Sequence, residues 1–208
     1  MESKKEDRIT DTLNVTLRFF IAFVVYWSAS AVFGILTEHA EFAFPSKEKL
    51  YASFAAGILE ELIFRLLIIM VLLWKRRETK QLYMAWIVST VLFALAHGGN
   101  IFYGAGIGVS IMQMISAMAM GTAFGLLFLR TRHILPGMIL HTLHDIIALS
   151  EVGATDESGL VIHGITLASV VDLLLVIAMG IYLTYYYSRE NEIEKMLEIR
   201  KKKKGAEN

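Results

Sequence analysis

The charged residues of this chain are unevenly distributed, and the gaps between them limit what it can fold into. Most of them lie in the first 11 residues, in 75–80 and after 188. The stretches between these clusters are long enough to supply the about 20 apolar residues with which a helix crosses a bilayer. Hydrophobic residues make up 55% of the chain and charged residues 19%, against about 45–50% and about 25% in an average soluble domain. The sequence therefore predicts an all-α, polytopic membrane protein.

Six transmembrane helices are predicted within a single membrane domain that covers residues 1–208. Their approximate bounds are 16–37, 49–73, 82–103, 107–129, 134–150 and 165–187. Outside these spans, every Lys and Arg except Lys47 and Lys49 falls in a segment that would share one side of the membrane. Because cytoplasmic loops carry the excess of Lys and Arg, we expect a multi-pass protein of the cell membrane with both termini in the cytoplasm.

The last residues, 188–208, are predicted to form a charged cytoplasmic tail. They include Arg200 and the four lysines 201–204, and such a patch is attracted to anionic lipid by about 1 kcal/mol per charge near the surface. The tail is interpreted as a topology anchor, with a regulatory switch as the alternative. The formal net charge is +0 and there is no cysteine, so a nucleic-acid binder, a disulfide scaffold and thiolate chemistry are excluded.

Three charged residues lie inside the second predicted span, where each costs at least about 2.5–3.5 kcal/mol to insert. Glu61 and Arg65 are four residues apart, a spacing that lets them pair on one helix face. Glu60 points about 100° away from Glu61 in an α-helix, so it is less well paired and suited to act as a general base. The alternative, an ion pair that only fixes helix packing, accounts for Glu61 and Arg65 but not for the second glutamate.

Two later spans carry histidines. His97 follows Phe93 by one turn, and Phe93 could wall the imidazole off from lipid; an interfacial histidine is the alternative. His141 is followed by His144 and Asp145 on the same side of the helix. Since a carboxylate is costly in lipid, this cluster should face protein or a water-filled cavity.

Together these side chains could surround one water molecule. Two imidazoles and a carboxylate also form a plausible divalent-metal set, so a metal such as zinc is expected to use His97, His141 and Glu60 if one is bound. The chain has neither a His-Glu-x-x-His zinc helix nor a Gly-x-Ser-x-Gly elbow. Asp172, alone in the sixth span, is interpreted as making a local hydrogen bond or filling a packing defect.

Three motifs resemble those of the CAAX protease and bacteriocin-processing (CPBP, or Abi) family of intramembrane endopeptidases. They are Glu-Glu-x-x-x-Arg at 60–65, Phe-x-x-x-His at 93–97 and His-x-x-x-Asp at 141–145. Their order matches the family as well: motifs one and two lie on successive spans, and motif three follows one intervening span. The resemblance covers roughly 49–150, the four-helix core of the family.

The resemblance implies hydrolysis of a peptide bond in a membrane-embedded or lipid-anchored peptide or protein. Glu60 would activate a water, His97 and His141 would position it or hold a metal, and Glu61 with Arg65 would support them. The family often has Asn where this chain has Asp145, and the Asn amide could donate to the oxyanion of the intermediate. Asp145 could instead orient His141 or the water, or His144 could take over the donation.

Two other functions fit the same sequence. A non-proteolytic immunity or scaffold protein could keep the fold and act by binding. A proton or ion translocator could use intramembrane Glu, His and Asp as a relay, but the outer residues 98–108 offer little beyond Asn100 and Tyr103.

Overall fold

The structure, a computed structural model, describes residues 2–74, 78–153, 164–189, 192, 195 and 196, with side chains from Ile9 onward. Helices and the turns between them account for these residues, apart from an isolated antiparallel bridge between Phe42 and Glu151. In chain order the helices are α1 (Glu2–Glu38), α2 (Lys47–Glu60), a π-helix (Glu61–Ile68), α3 (Ile69–Leu72), α4 (Thr79–Gly98), a 3₁₀-helix (Gly99–Tyr103), α5 (Ile107–Thr131), α6 (Leu135–Ala148) and α7 (Leu167–Tyr187). The predicted all-α fold class is confirmed.

Four segments of the described chain are long and apolar enough to cross a membrane. They are Ile9–Glu38, Thr79–Tyr103, Ile107–Thr131 and Leu167–Tyr187, and they correspond to the first, third, fourth and sixth predicted spans. A helical membrane protein is therefore the architecture of this chain.

The second and fifth predicted spans take a different form. Residues 47–72 are divided into α2, the π-helix and α3, and they contain the three charged residues of the first motif. α6 has 14 residues and is about 21 Å long at 1.5 Å per residue, which is short of the about 30 Å hydrocarbon core. The number of six spans and the cytoplasmic position of both termini stay predictions.

The helix starts follow signals that are visible in the sequence. The Ser46 hydroxyl accepts a hydrogen bond from the Lys49 N–H at 3.3 Å, which caps α2. Thr166 and Ser169 form a reciprocal capping box at the start of α7, with distances of 3.1 and 2.9 Å. Pro136 lies in the first turn of α6, where a helix needs no N–H from it.

α5 is the central helix, and it packs against α1, α4 and α7, while α2 packs against α6. Small residues allow these helices to approach closely, as is common in membranes. A Cβ added at Gly57 of α2 would lie 2.2 Å from the Thr142 Oγ1 and 2.7 Å from the Thr142 backbone nitrogen of α6. The backbones of α2 and α6 are thus in near contact beside the first motif.

Arg130 at the end of α5 joins the two ends of the described chain. Its side chain is 1% exposed, and its Nε donates to Glu192 at 2.6 Å. Its Nη1 and Nη2 donate to the two oxygens of Asp11 at 2.7 and 2.9 Å. Partial burial raises the pKa of Glu192, but hydrogen bonds from Arg130 and Lys195 outweigh burial and leave this pKa below its ordinary value.

The predicted cytoplasmic tail lies mostly outside the described residues, and so do most of the connection 151–164 and the basic residues 75–77. The contact of the tail with anionic lipid stays a prediction.

Candidate active site

Glu61 and Arg65 form the predicted ion pair, and both side chains have 0% exposure. The Arg65 Nη1 lies 3.3 Å from the Glu61 Oε1. The guanidinium also lies over the ring of Phe93, 4.1 Å from its centroid, and 5.5 Å from the centroid of Phe124. A buried charge needs such partners, since desolvation costs several kcal/mol per ion. The pair fixes the Glu61 carboxylate in the interior of the protein.

His141 lies between the two adjacent glutamates. Its Nδ1 is 3.1 Å from the Glu61 Oε1, and its Nε2 is 3.7 Å from the Glu60 Oε2. The first distance is a hydrogen bond in which Nδ1–H donates to the carboxylate. The second is too long for one, and the Glu60 Oε2 has no hydrogen-bond partner among the described residues. Glu60 is thus the less well paired glutamate, as the sequence predicts.

The chain forms a π-helix at Glu61–Ile68, whereas the sequence predicts a continuous helix from 49 to 73. Periodicity does not reveal this change, since apolar residues surround the motif in either geometry. The Ser89 hydroxyl of α4 donates to the Phe64 carbonyl at 2.6 Å and so gives this carbonyl a partner outside its own helix. π-helical turns occur frequently at functional sites.

His97 is held by its own helix. Its Nδ1 lies 2.9 Å from the Phe93 carbonyl oxygen, and because a carbonyl only accepts, Nδ1 carries the proton. The two rings are 4.7 Å apart, and the Phe93 ring is also 5.7 Å from the His141 ring. The Phe93 ring therefore contacts both histidines, and its role as a wall between the His97 imidazole and lipid stays a prediction.

Asp145 and His144 lie beside His141 on α6. The Asp145 Oδ2 is 3.8 Å from the His141 Nε2, and the Asp145 side chain is 22% exposed. The Trp27 Nε1–H of α1 donates to the His144 Nδ1 at 3.2 Å. The motif-three residues therefore face the first motif on one side and α1 on the other.

Asp172 of α7 accepts hydrogen bonds from Tyr26 at 2.9 Å and from Ser30 at 2.5 Å. The sequence predicts a local partner, but both donors lie on α1. Tyr26 and Ser30 are polar and follow one another by four residues, so they lie on one face of that helix. This spacing is the signal in the sequence that could have identified them.

A cavity of about 830 Å³ opens between these helices. The titratable side chains that the motif-bearing helices and α7 contribute to its lining come from three helices, α4, α6 and α7; they are His97, His141, His144, Asp145 and Asp172. Sequence reasoning missed two of the aromatic residues that shape it. Phe124 stacks on the His141 ring at 5.0 Å, and Trp27 holds His144. Both are aromatic residues in strongly apolar helices and carry no signal of their own.

The described residues contain no group of three or more His, Asp and Glu that could hold a metal ion. The Nδ1 atoms of His97 and His141 have partners, which leaves their Nε2 atoms as the nitrogens that could ligate. The predicted set of His97, His141 and Glu60 is nevertheless not brought together as a metal site in this geometry. A divalent metal stays a prediction.

Comparison with known proteins identifies the segment that carries this site. Residues 48–147 match the family model described as type II CAAX prenyl endopeptidase Rce1-like. The predicted resemblance to the CAAX protease family is confirmed by this match. No curated protein and no solved structure matches the chain.

Proposed function

Residues 48–147 belong to the CPBP family of CAAX-type membrane proteases, and from this premise we propose that the chain is an intramembrane endopeptidase. Its substrate would be a membrane-embedded or lipid-anchored peptide or protein. Glu60 is proposed as the general base, His97 and His141 as groups that position the water and the scissile carbonyl, and Glu61 with Arg65 as the pair that holds His141. Asp145 is proposed to orient the water or His141.

The observation that carries the proposal is the position of His141 between two carboxylates of different character. Glu61 is 0% exposed and hydrogen-bonded, whereas the Glu60 side chain is 32% exposed and lies 3.7 Å from Nε2. A polar gap longer than a direct hydrogen bond is where a bridging water is expected. A water that lies beside the line between these two atoms, within hydrogen-bond distance of both, would donate one proton to Glu60 and the other to the unprotonated His141 Nε2.

Hydrolysis follows from this placement. Glu60 takes a proton from the water, and the water oxygen attacks the carbonyl carbon of the scissile peptide bond. The tetrahedral intermediate then loses the amine, which leaves with a proton returned by Glu60, so one water is consumed and one C–N bond is broken. The π-stack of Phe124 on His141 and the ion pair at Glu61 keep the imidazole in place throughout.

The test is cleavage by the purified full-length chain in proteoliposomes. A set of transmembrane and lipid-anchored peptides is incubated with it, and new termini are identified by mass spectrometry. We expect Glu60→Gln to lower the cleavage rate about 10²–10⁴-fold, the usual contribution of a general base. His141→Ala should abolish cleavage. Glu60→Gln should keep the melting temperature near that of the parent protein, whereas His141→Ala should lower it, since it removes the hydrogen-bond partner of the buried Glu61, and is therefore compared as a folded preparation.

Glu48→Gln is the matched control, since Glu48 lies on the same helix as Glu60 but is exposed. Cleavage at the parental rate by Glu60→Gln and His141→Ala would end the proposal. A cellular phenotype that survives both substitutions would favour the immunity or scaffold function. Metal analysis of the same preparation tests the predicted divalent ion.

A further inference from the structure

Peptide hydrolysis needs a hydrogen-bond donor at the oxygen that becomes negatively charged. A donor of this kind is worth about 10²–10³-fold in kcat. Among the polar groups that line the cavity, the donor must be one whose proton is not already donated to another residue. A neutral imidazole has one N–H and one acceptor nitrogen, so the partner of one nitrogen determines the role of the other.

His97 and His141 have already used their protons. The His97 Nδ1–H donates to the Phe93 carbonyl at 2.9 Å, which leaves Nε2 as an acceptor. The His141 Nδ1–H donates to Glu61 at 3.1 Å, and its Nε2 is an acceptor that faces Glu60 and Asp145. As neutral imidazoles, neither can donate to an oxyanion.

Asp145 does not fill the role either. A carboxylate only accepts hydrogen bonds, and the Asp145 Oδ2 lies 3.8 Å from an acceptor nitrogen of His141. A water that donates to both groups suits this arrangement better than an oxyanion does.

His144 is arranged in the opposite way. The Trp27 indole can only donate, and its Nε1 lies 3.2 Å from the His144 Nδ1. The Nδ1 atom must therefore be the acceptor, and the proton of the neutral ring is on Nε2. His144 lines the same cavity as His97 and His141, and its Nε2–H is the one ring proton of the three that no described residue accepts.

We propose that His144 is the catalytic donor to the oxyanion, and that Trp27 is the positioning residue that fixes its Nε2–H tautomer. This assignment rests on the proposed protease function. It adds a residue at a variable position of the third motif, and it gives α1, which lies outside the matched segment 48–147, a part in the chemistry.

The assignment is tested by kinetics of folded variants in the cleavage assay. His144→Ala and His144→Met remove the donor, the second with little change in volume, and should lower kcat about 10²–10³-fold with little change in KM. His144→Gln keeps an N–H donor and should recover part of that loss. Two donor-free variants are used so that a folding defect in one leaves the other to decide.

Trp27→Phe keeps an aromatic ring and removes the N–H that fixes the tautomer. We expect kcat to fall several-fold at unchanged KM. Trp27→His restores a ring N–H and should recover part of this loss. If Trp27 only filled space, Trp27→His would not recover activity. Trp74→Phe is the matched control, since Trp74 is 74% exposed, and it should behave as the parent protein.

The outcomes separate the two proposals. Parental kcat in a folded donor-free His144 variant, together with an inactive Glu60→Gln, would overturn the role of His144 alone. Parental kcat in Trp27→Phe would overturn the positioning role of the indole. Cleavage by Glu60→Gln at the parental rate would instead overturn the proposed function.

Discussion

Arg65 has no contact with solvent, so its charge depends entirely on neighbouring groups. The Glu61 carboxylate at 3.3 Å and the Phe93 ring at 4.1 Å attract this charge, while none of the three guanidinium nitrogens has a hydrogen-bond partner among the described residues. Glu61 in turn has one hydrogen-bond partner in the site, His141. A change at Arg65 therefore acts on His141 through one intermediate group.

We expect Arg65→Met to lower the free energy of unfolding by about 3–5 kcal/mol, because it leaves the buried Glu61 charge unpaired. Chemical unfolding in detergent, followed by tryptophan fluorescence, measures this loss. The double variant Glu61→Gln/Arg65→Met removes both charges and should recover much of the stability. Parental stability of Arg65→Met would show that Glu61 is not held as an anion by Arg65.

The sequence allowed part of the site to be predicted at this scale. The spacing of Glu61 and Arg65, and of Phe93 and His97, fixes their contacts within one helix, so both were predictable. The hydrogen bond that the His141 Nδ1–H donates to Glu61 joins residues 80 positions apart, and the motifs predicted only that Glu61 supports the site. The stacking of Phe124 on His141 could not be predicted, since it depends on how α5 packs against α6.

At the scale of elements, the approach of α2 to α6 controls the distance between Glu61 and His141. Gly57 permits this approach, since a Cβ there would be 2.2 Å from the Thr142 Oγ1. Gly137, one helical turn before His141, is also close, and a Cβ there would lie 3.0 Å from the Glu61 Oε2. A methyl group at Gly57 would have to displace the Thr142 backbone, whereas one at Gly137 would require a small shift of the Glu61 carboxylate.

We expect Gly57→Ala to lower both stability and cleavage, since the added methyl group must push the two helices apart. Melting temperature and cleavage rate measure the two effects. Gly99→Ala is the matched control, because a Cβ at Gly99 meets nothing within 4 Å. Thr142→Ala should rescue Gly57→Ala only in part, since the Thr142 backbone nitrogen is also within 2.7 Å of the added atom. Unchanged cleavage by Gly57→Ala would contradict the proposed role of this crossing.

The relative depth of Glu60 and His141 in the membrane could not be predicted from the bounds of their helices. By helical rise, Glu60 lies about 18 Å from the end of α3 and His141 about 9 Å from the start of α6. If the end of α3 and the start of α6 lay at the same depth, Glu60 and His141 would be far apart along the helix axes. Their side chains nevertheless approach within 3.7 Å. The helices are therefore offset along their axes, and tertiary packing sets this offset.

At the scale of the whole molecule, the cavity opens toward one end of the bundle. Its lining includes Glu38, Phe42, Glu151 and Thr166, which belong to or border the connections that are predicted to lie outside. None of the lining residues comes from the described part of the predicted inner connections, 78–80 and 130–133. The predicted orientation therefore gives the cavity an opening on the extracytoplasmic side.

Because the chain has no cysteine, single introduced cysteines report this orientation without background. Phe44 is 84% exposed near the opening, and Trp74 is 74% exposed at the opposite end. We expect Phe44→Cys to react with a membrane-impermeant maleimide in intact cells, and Trp74→Cys to react only after permeabilisation. The reverse pattern would show that the site is reached from the cytoplasm.

The clustering of charges was sufficient to predict a helical membrane protein, because long charge-poor runs have few other stable forms. The clustering of charges was not sufficient to predict where the cavity lies. That position depends on the outer helices α1 and α7, whose Ser30 and Asp172 meet across the bundle.

The arrangement around Arg130 has a consequence for dissection of the protein. Arg130 lies within the matched segment, but both of its carboxylate partners, Asp11 and Glu192, lie beyond it. A fragment trimmed to 48–147 would keep the Arg130 guanidinium but lose both carboxylates that bind it. The helices that carry the motifs are therefore not expected to fold as an isolated domain. A shortened version of the protein has to retain Asp11 and Glu192, which neutralise the Arg130 side chain.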